Sequence, residues 1–182
     1  VMSTTILGDS LDLHFGGIDL KFPHHHNEIL QVVAFYDRPD SDYKWVKQFA
    51  HFGHLNISGL KMSKSLKNFI TIKQILTEYT PRQLRLLFLQ HDWDKSLDYS
   101  DDNLLHAISL EKTLLEFLSF MQYVIRKNKD LNIKKWNQID IEFNKNISEH
   151  KSNIDKYFRS NIDTKNIIIE LQKLISNTYI YT

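Results

Sequence analysis

The spacing of apolar residues changes rhythm along the chain. Near the start, Leu11-Asp12-Leu13-His14-Phe15 alternates apolar and polar positions and predicts a strand ending at Gly16-Gly17. A second strand is predicted over Phe49-Ala50-His51-Phe52-Gly53-His54-Leu55-Asn56-Ile57, interrupted by its glycine. Between them a helix is predicted to begin near Pro23, because proline suits the first helical turn, where no amide donor is needed. That helix should turn Ile29, Leu30, Val33 and Phe35 inward and stop before Arg38-Pro39-Asp40. Further on the period is helical. Thr80-Pro81 predicts a cap and a first helical position, with Leu84, Leu87 and Phe88 on one face. Ser100-Asp101-Asp102 predicts the next cap, ahead of a long helix with Leu104, Ile108, Leu115, Leu118 and Ile125 on one stripe. A third helix is predicted over Ile141 to Phe158, and Asp163-Thr164 should cap a last one carrying Ile167, Ile168, Leu171, Leu174 and Ile175.

The turn-forming residues sharpen this division. All five glycines (Gly8, Gly16, Gly17, Gly53, Gly59) precede residue 60, and the last proline is Pro81. A run from Arg82 to Thr182 without glycine or proline reads as helices joined by polar links, one being the basic stretch Arg126 to Lys135. The class is therefore α/β followed by all-α, with segments expected at 1–58, 59–100 and 101–182. The aromatic residues Trp93, Tyr99 and Trp136 are expected as core or helix-packing groups.

Composition adds limits. With 182 residues and 42% hydrophobic positions the chain can build a core without staples. Twenty-three Lys+Arg against 22 Asp+Glu leave a net charge of +1, so any pull on nucleic acid must come from local patches. There is no cysteine, which excludes disulfides and any thiolate metal site made by these residues alone. No apolar run approaches the ~20 residues needed to span a bilayer. The expectation is a soluble, cytoplasmic protein. Opening on Val1-Met2-Ser3-Thr4, it reads as a piece of a longer polypeptide.

Two stretches can carry chemistry. In Phe22-Pro23-His24-His25-His26-Asn27-Glu28, His24 and Glu28 stand four apart, so in a helix both project over one turn. An imidazole and a carboxylate so placed form half of a tetrahedral zinc site, the alternative being a helix start whose histidines cap or stack. Six of the nine histidines (His14, His24, His25, His26, His51, His54) fall in the first 54 residues, which favours a site. The second stretch is Lys61-Met62-Ser63-Lys64-Ser65 after Gly59-Leu60. Its two ammonium groups can meet charge that shifts to the β- and γ-phosphates when an α-phosphate is attacked, and its hydroxyls can donate to phosphate oxygens or simply shape the loop.

Lys61-Met62-Ser63-Lys64-Ser65 is the KMSKS signature of class I aminoacyl-tRNA synthetases. With Gly16-Gly17-Ile18-Asp19-Leu20-Lys21-Phe22-Pro23-His24-His25, Lys64-Ser65-Leu66-Lys67-Asn68-Phe69, Arg82-Gln83-Leu84-Arg85-Leu86 and Leu97-Asp98-Tyr99-Ser100, the chain resembles the cysteinyl-tRNA synthetases, most closely the eukaryotic form. The resemblance implies the second half of a Rossmann-like catalytic domain over 1–58, the signature loop and stem-contact region over 59–100, and a helical bundle on the tRNA side over 101–182. It implies ATP, with Mg²⁺, as substrate together with L-cysteine and tRNA(Cys), and no membrane partner. It also implies a zinc ion held by two upstream cysteines, His24 and Glu28, which sorts a thiolate from a hydroxyl.

By the same resemblance Lys61 and Lys64 are catalytic. Lys61, Lys64, Ser63, Ser65, His14, Gly53 and His54 would border ATP, Asp19 the substrate pocket, and Arg82 and Arg85 would touch tRNA. Where the family carries His-Gly-Gly-Gly, this chain reads His14-Phe15-Gly16-Gly17, and His26 takes a position usually acidic or polar. Two other functions fit less of the pattern. One is an RNA-binding derivative without catalysis; the other is a ligase joining cysteine to an amino sugar by the same adenylation.

Overall fold

The computed structural model describes residues 2–37, 44–57, 59–62, 69–127 and 135–182. The chain forms two compact units, Val1–Ser63 with Trp93–Asp98, and Lys64–Asp92 with Tyr99–Thr182. The expected order of α/β followed by helices is observed.

The first unit opens with α1 (Met2–Leu7), a helix that precedes the predicted first strand. β1 (Leu11–Gly17) pairs in parallel with β2 (Val46–Phe52), from Leu11 opposite Val46 to Gly17 opposite Phe52. Parallel partners require a crossover, and α2 (His26–Phe35) supplies it. Val32, Trp45 and Val46 form a buried core, flanked by Leu11, Ile29, Tyr36 and Phe49. The inward face of α2 thus runs Ile29, Val32, Val33, Tyr36 rather than through Leu30 and Phe35, which are exposed. Phe35 ends the helix, and one residue of drift at a helix end swings a side chain through a quarter turn or more.

The strand expected over 49–57 is two strands. β2 ends at Phe52, and β3 (Leu55–Ile57) joins a second sheet of order β4-β3-β5, with β4 at Leu60–Lys61 and β5 at Leu97–Tyr99. Gly53 marks the transfer. Its N–H donates to the Trp93 carbonyl at 3.0 Å, while the Leu97 N–H donates to the His54 carbonyl at 2.8 Å. The β3–β4 turn passes through Gly59 at φ +74, a conformation costly for any residue with a Cβ.

The second unit contains α3 (Ile72–Ile75), α4 (Pro81–Leu89), α5 (Asp101–Lys127), α6 (Gln138–Arg159) and α7 (Thr164–Tyr181). Their starts follow the predicted caps. Thr80 accepts from the Gln83 N–H while the Gln83 side chain reaches back to the Thr80 N–H, with Pro81 in the first turn. Asp163 accepts from the Asn166 N–H, and Asn137 and Asp140 form a further reciprocal box on α6. Each such cap contributes about 1 kcal/mol.

Leu86, Leu87, Leu104, Ala107, Leu110, Ile167 and Ile175 are buried in this unit. The buried line on α5 passes through Leu104, Ala107 and Leu110, with Leu114, Phe117 and Val124 half-buried; Leu115, Leu118 and Ile125 face outward. Consecutive apolar pairs such as Leu114-Leu115 give the sequence two candidate seams, and only packing selects one. Phe88 and Trp136 are likewise exposed, against expectation.

The seam between α6 and α7 is polar. The buried Glu170 carboxylate accepts from Asn153 Nδ2 and His150 Nδ1, each at 2.8 Å, and from Lys173 Nζ at 3.3 Å. Asn177 Nδ2 donates to His150 Nε2 and to Asn146 Oδ1, both at 3.1 Å, which puts the proton of a neutral His150 on Nδ1. The Asn153 hydrogen bond is the main influence holding the Glu170 carboxyl below its ordinary value, against burial, which raises it. A depressed folded value means the contribution to stability is present above the unfolded pKa of about 4.3 and lost as pH falls through the folded one. The urea midpoint should therefore decline on the acid side, and Glu170→Gln should flatten that decline while costing about 1–2 kcal/mol at neutral pH. An unchanged acid limb in Glu170→Gln would assign the decline to other carboxylates.

Candidate active site

In open α/β sheets, ligands bind beyond the carboxyl ends of parallel strands. Here those ends are Gly17 on β1 and Phe52 on β2; Asp19 and His24 follow the first, and Gly53 and His54 follow the second. The chain leaves β1 through a 3₁₀ turn (Ile18–Leu20) and a wide turn (Lys21–His25) that delivers His24 and His25 ahead of α2.

His25 is the anchor. It is only 3% exposed, and its Nδ1 is hydrogen-bonded to His51 Nε2 on β2 at 2.9 Å. Burial, then the neighbouring His14, lowers its pKa. The ring lies over Gly16, where an added Cβ would come within 2.6 Å of Cε1 and 2.8 Å of Nε2. Gly16 is therefore needed for packing, whatever the replacement at Phe15 does; Phe15 itself is exposed and stacks on Phe52.

With His25 fixed, Glu28 on the first turn of α2 sits between two imidazoles. Its Oε1 is 3.2 Å from His24 Nε2, and its Oε2 is 2.8 Å from His14 Nε2. Donors on a shared edge of a zinc tetrahedron with bonds near 2.0–2.1 Å lie about 3.3 Å apart, so the His24–Glu28 pair fits such an edge. His14, His25 and Glu28 form an overlapping set, with ligand atoms within 4.8 Å of one another. His14, expected near ATP, thus touches the expected metal ligand. The roles of His25 and His51 were missed; the only sequence signal was the clustering of histidines beside the two strands.

A second cluster follows the strand ends. Asp19 in the 3₁₀ turn accepts from Lys61 Nζ at 3.0 Å on Oδ2, and His54 Nδ1 lies 3.9 Å from Oδ1. The Lys61 hydrogen bond is the main reason the Asp19 carboxyl titrates below its usual range. Lys61 is held by the β3–β4 ladder, where it faces Asn56. Ser63, Lys64 and Ser65 lie outside the described residues. Gly53 closely approaches the Lys95 backbone, where a Cβ would overlap the carbonyl oxygen, and this alone accounts for a glycine there.

Arg82 and Arg85 belong to the second unit. Arg82 pairs with Glu111 at 3.7 Å, and both arginines are exposed on α4. Of the basic link, Arg126, Lys127 and Lys135 are described and exposed, and the residues between lie outside the described set.

Residues 1–109 match the family described as tRNA synthetases class I (C) catalytic domain. The chain belongs to this family. Among curated relatives of this synthetase segment are the cytoplasmic cysteine–tRNA ligases of Gallus gallus, 44% identical over 98% of the chain, and of Homo sapiens, 43% identical over 99%. That of Dictyostelium discoideum is 41% identical over 99%. The chain spans about a quarter of these proteins, 24%, 24% and 27% of their respective lengths. Solved structures agree on the class I fold. A methionyl-tRNA synthetase of Mycobacterium tuberculosis bound by methionyl-adenylate superposes with a TM-score of 0.70 at 17% identity, over 93% of this chain and 33% of that one. LeuRS of Agrobacterium radiobacter K84, in a ternary complex with tRNA and LeuAMS, gives 0.72 at 15%, over 93% and 22%. No helix among the described residues is long and apolar enough to cross a membrane.

Proposed function

We propose that the full-length protein is a cytoplasmic cysteine–tRNA ligase and that this chain supplies the later part of its catalytic domain and the helices that follow. In this reaction the cysteine carboxylate attacks the α-phosphorus of Mg²⁺-bound ATP, forming cysteinyl-adenylate and expelling pyrophosphate. A terminal adenosine hydroxyl of tRNA(Cys) then takes the acyl group and AMP leaves. The observation that carries the reading is identity above 40% to cysteine–tRNA ligases along essentially the whole chain.

His24 and Glu28 would hold zinc, with the remaining donors from outside this chain. When bound, the ion would favour a thiolate over a hydroxyl and so select cysteine. His14 orients the Glu28 carboxylate from its other oxygen. Lys61 and Lys64 neutralise charge on the departing pyrophosphate, Ser63 and Ser65 shape the loop or donate to phosphate, and Asp19 lines the amino-acid pocket. Backbone groups at Gly53 and His54 border the adenine. Arg82 and Arg85 would meet tRNA phosphates, in which case binding weakens as salt rises.

The test is cysteine-dependent exchange of pyrophosphate into ATP, followed by charging of tRNA(Cys). Exchange without charging would favour an amino-sugar acceptor, and neither activity would favour a non-catalytic RNA binder. Zinc content provides an independent check. His24→Ala should remove stoichiometric zinc from the full-length protein. His14→Ala, which loses only an orienting partner, should weaken zinc by about ten- to a hundredfold. The reverse order would assign the ion to the His14–His25–Glu28 set.

A further inference from the structure

Lys61 and Asp19 are bound to each other in a protein that needs both for different ligands. If the proposed function holds, Lys61 serves the triphosphate and Asp19 the amino acid, one an anion and the other carrying an ammonium group. We propose that this ion pair couples the two binding events: the ammonium of the amino acid takes over the Asp19 carboxylate and releases the Lys61 ammonium to ATP.

Three observations support the exchange. First, the Lys61 backbone is held in a ladder, while its ammonium sits at the end of a four-carbon stem. Lys61 faces Asn56 in the β3–β4 ladder, and the next residue, Met62, donates its N–H to the Leu55 carbonyl at 3.1 Å. Lys61 therefore changes partner by rotating its four-carbon stem, without moving a strand. Asp19 is set by the 3₁₀ turn Ile18–Leu20 that directly follows β1.

Second, the pair is exchangeable. The side chains are 47% and 49% exposed, so water and a competing ammonium can reach both partners. Exposed pairs are weak, and replacing one ammonium by another leaves the carboxylate with a like partner.

Third, its location distinguishes it from ordinary surface pairs. Lys47 and Asp12 also meet, at 2.6 Å, but near the amino end of β1 and in a more solvated setting. Asp19 and His54 each follow the carboxyl end of a parallel strand, the edge where substrates of such sheets bind. His54, 3.9 Å from Asp19 Oδ1, supplies polar contact to the carboxylate during the exchange.

Linkage requires the coupling to be reciprocal: whatever factor the amino acid applies to ATP, ATP applies to the amino acid. The experiment uses the full-length enzyme and two unreactive probes, α,β-methylene-ATP and L-cysteinol, which keeps the ammonium and lacks the carboxylate. 3-Mercapto-1-propanol, the same molecule without its amino group, is the control. In wild type, saturating L-cysteinol should tighten α,β-methylene-ATP by about two- to fivefold, and the control should have no effect. In Asp19→Asn, α,β-methylene-ATP should bind about two- to fivefold tighter with no cysteinol present, and the coupling should vanish. In Lys61→Met the coupling should vanish as well, with nucleotide affinity reduced. A merely structural role for Asp19 would weaken both ligands in Asp19→Asn. That result, or intact coupling in either variant, overturns the proposal. Cysteine-dependent pyrophosphate exchange in wild type separates the two levels. No exchange removes the proposed function, whereas exchange with a wild-type coupling factor of one removes this inference alone.

Discussion

Lys64→Ala in the full-length enzyme is expected to slow cysteinyl-adenylate formation by about a hundred- to a thousandfold, with little change in ATP affinity. Charge on the pyrophosphate grows as its bond to the α-phosphorus breaks, and an ammonium that meets it at that moment lowers the barrier without tightening the ground state. In the sequence Lys64 follows Lys61 by three residues. Lys61→Ala should cost less, because that ammonium has Asp19 as a competing partner. Single-turnover adenylation and equilibrium binding of ATP separate the terms. A raised Michaelis constant with turnover intact would mean that Lys64 binds ATP equally in both states and is not a catalytic group.

Gly53→Ala should be the most destabilising of the glycine-to-alanine changes in the first unit. A Cβ there would overlap the Lys95 carbonyl and lie 2.8 Å from the Ser96 nitrogen, so backbone rather than a flexible side chain must yield. Parting these segments also strains the bonds from Gly53 to Trp93 and from Leu97 to His54. Overpacking and loss of two hydrogen bonds together cost about 3–5 kcal/mol, or about 10 °C in thermal midpoint. Gly59→Ala is the useful contrast. Among the described residues no atom beyond its chain neighbours lies within 4 Å of a Cβ at that position, and its φ of +74 is what resists substitution, so the loss should be about 1 kcal/mol. Equal losses at the two sites would show that the Lys95 segment can move aside.

Local signals were the most legible part of the sequence. Thr80-Pro81, Ser100-Asp101 and Asp163-Thr164 begin helices as expected, because a cap depends on a side chain and amides only three residues away. Which face of a helix is buried depends on residues far along the chain. Leu115 and Phe88 were misassigned for that reason, each having an apolar neighbour that packing selected instead. At the site, the His24–Glu28 contact was readable from helical spacing alone. The His14–Glu28 and His25–His51 contacts were not, since they link residues 14 and 26 positions apart across a crossover. Asp19 and Lys61 are separated by 42 residues, and no periodicity could have paired them.

The histidine–glutamate contact buried between α6 and α7 has a mechanical corollary. Two helices zipped by leucines can slip past each other by a turn and find another leucine waiting. Here a slip of one turn would part a buried imidazole and carboxylate and three half-buried amides from the partners they hold in this alignment. The hairpin is thereby keyed to one alignment, which leucines alone would leave degenerate.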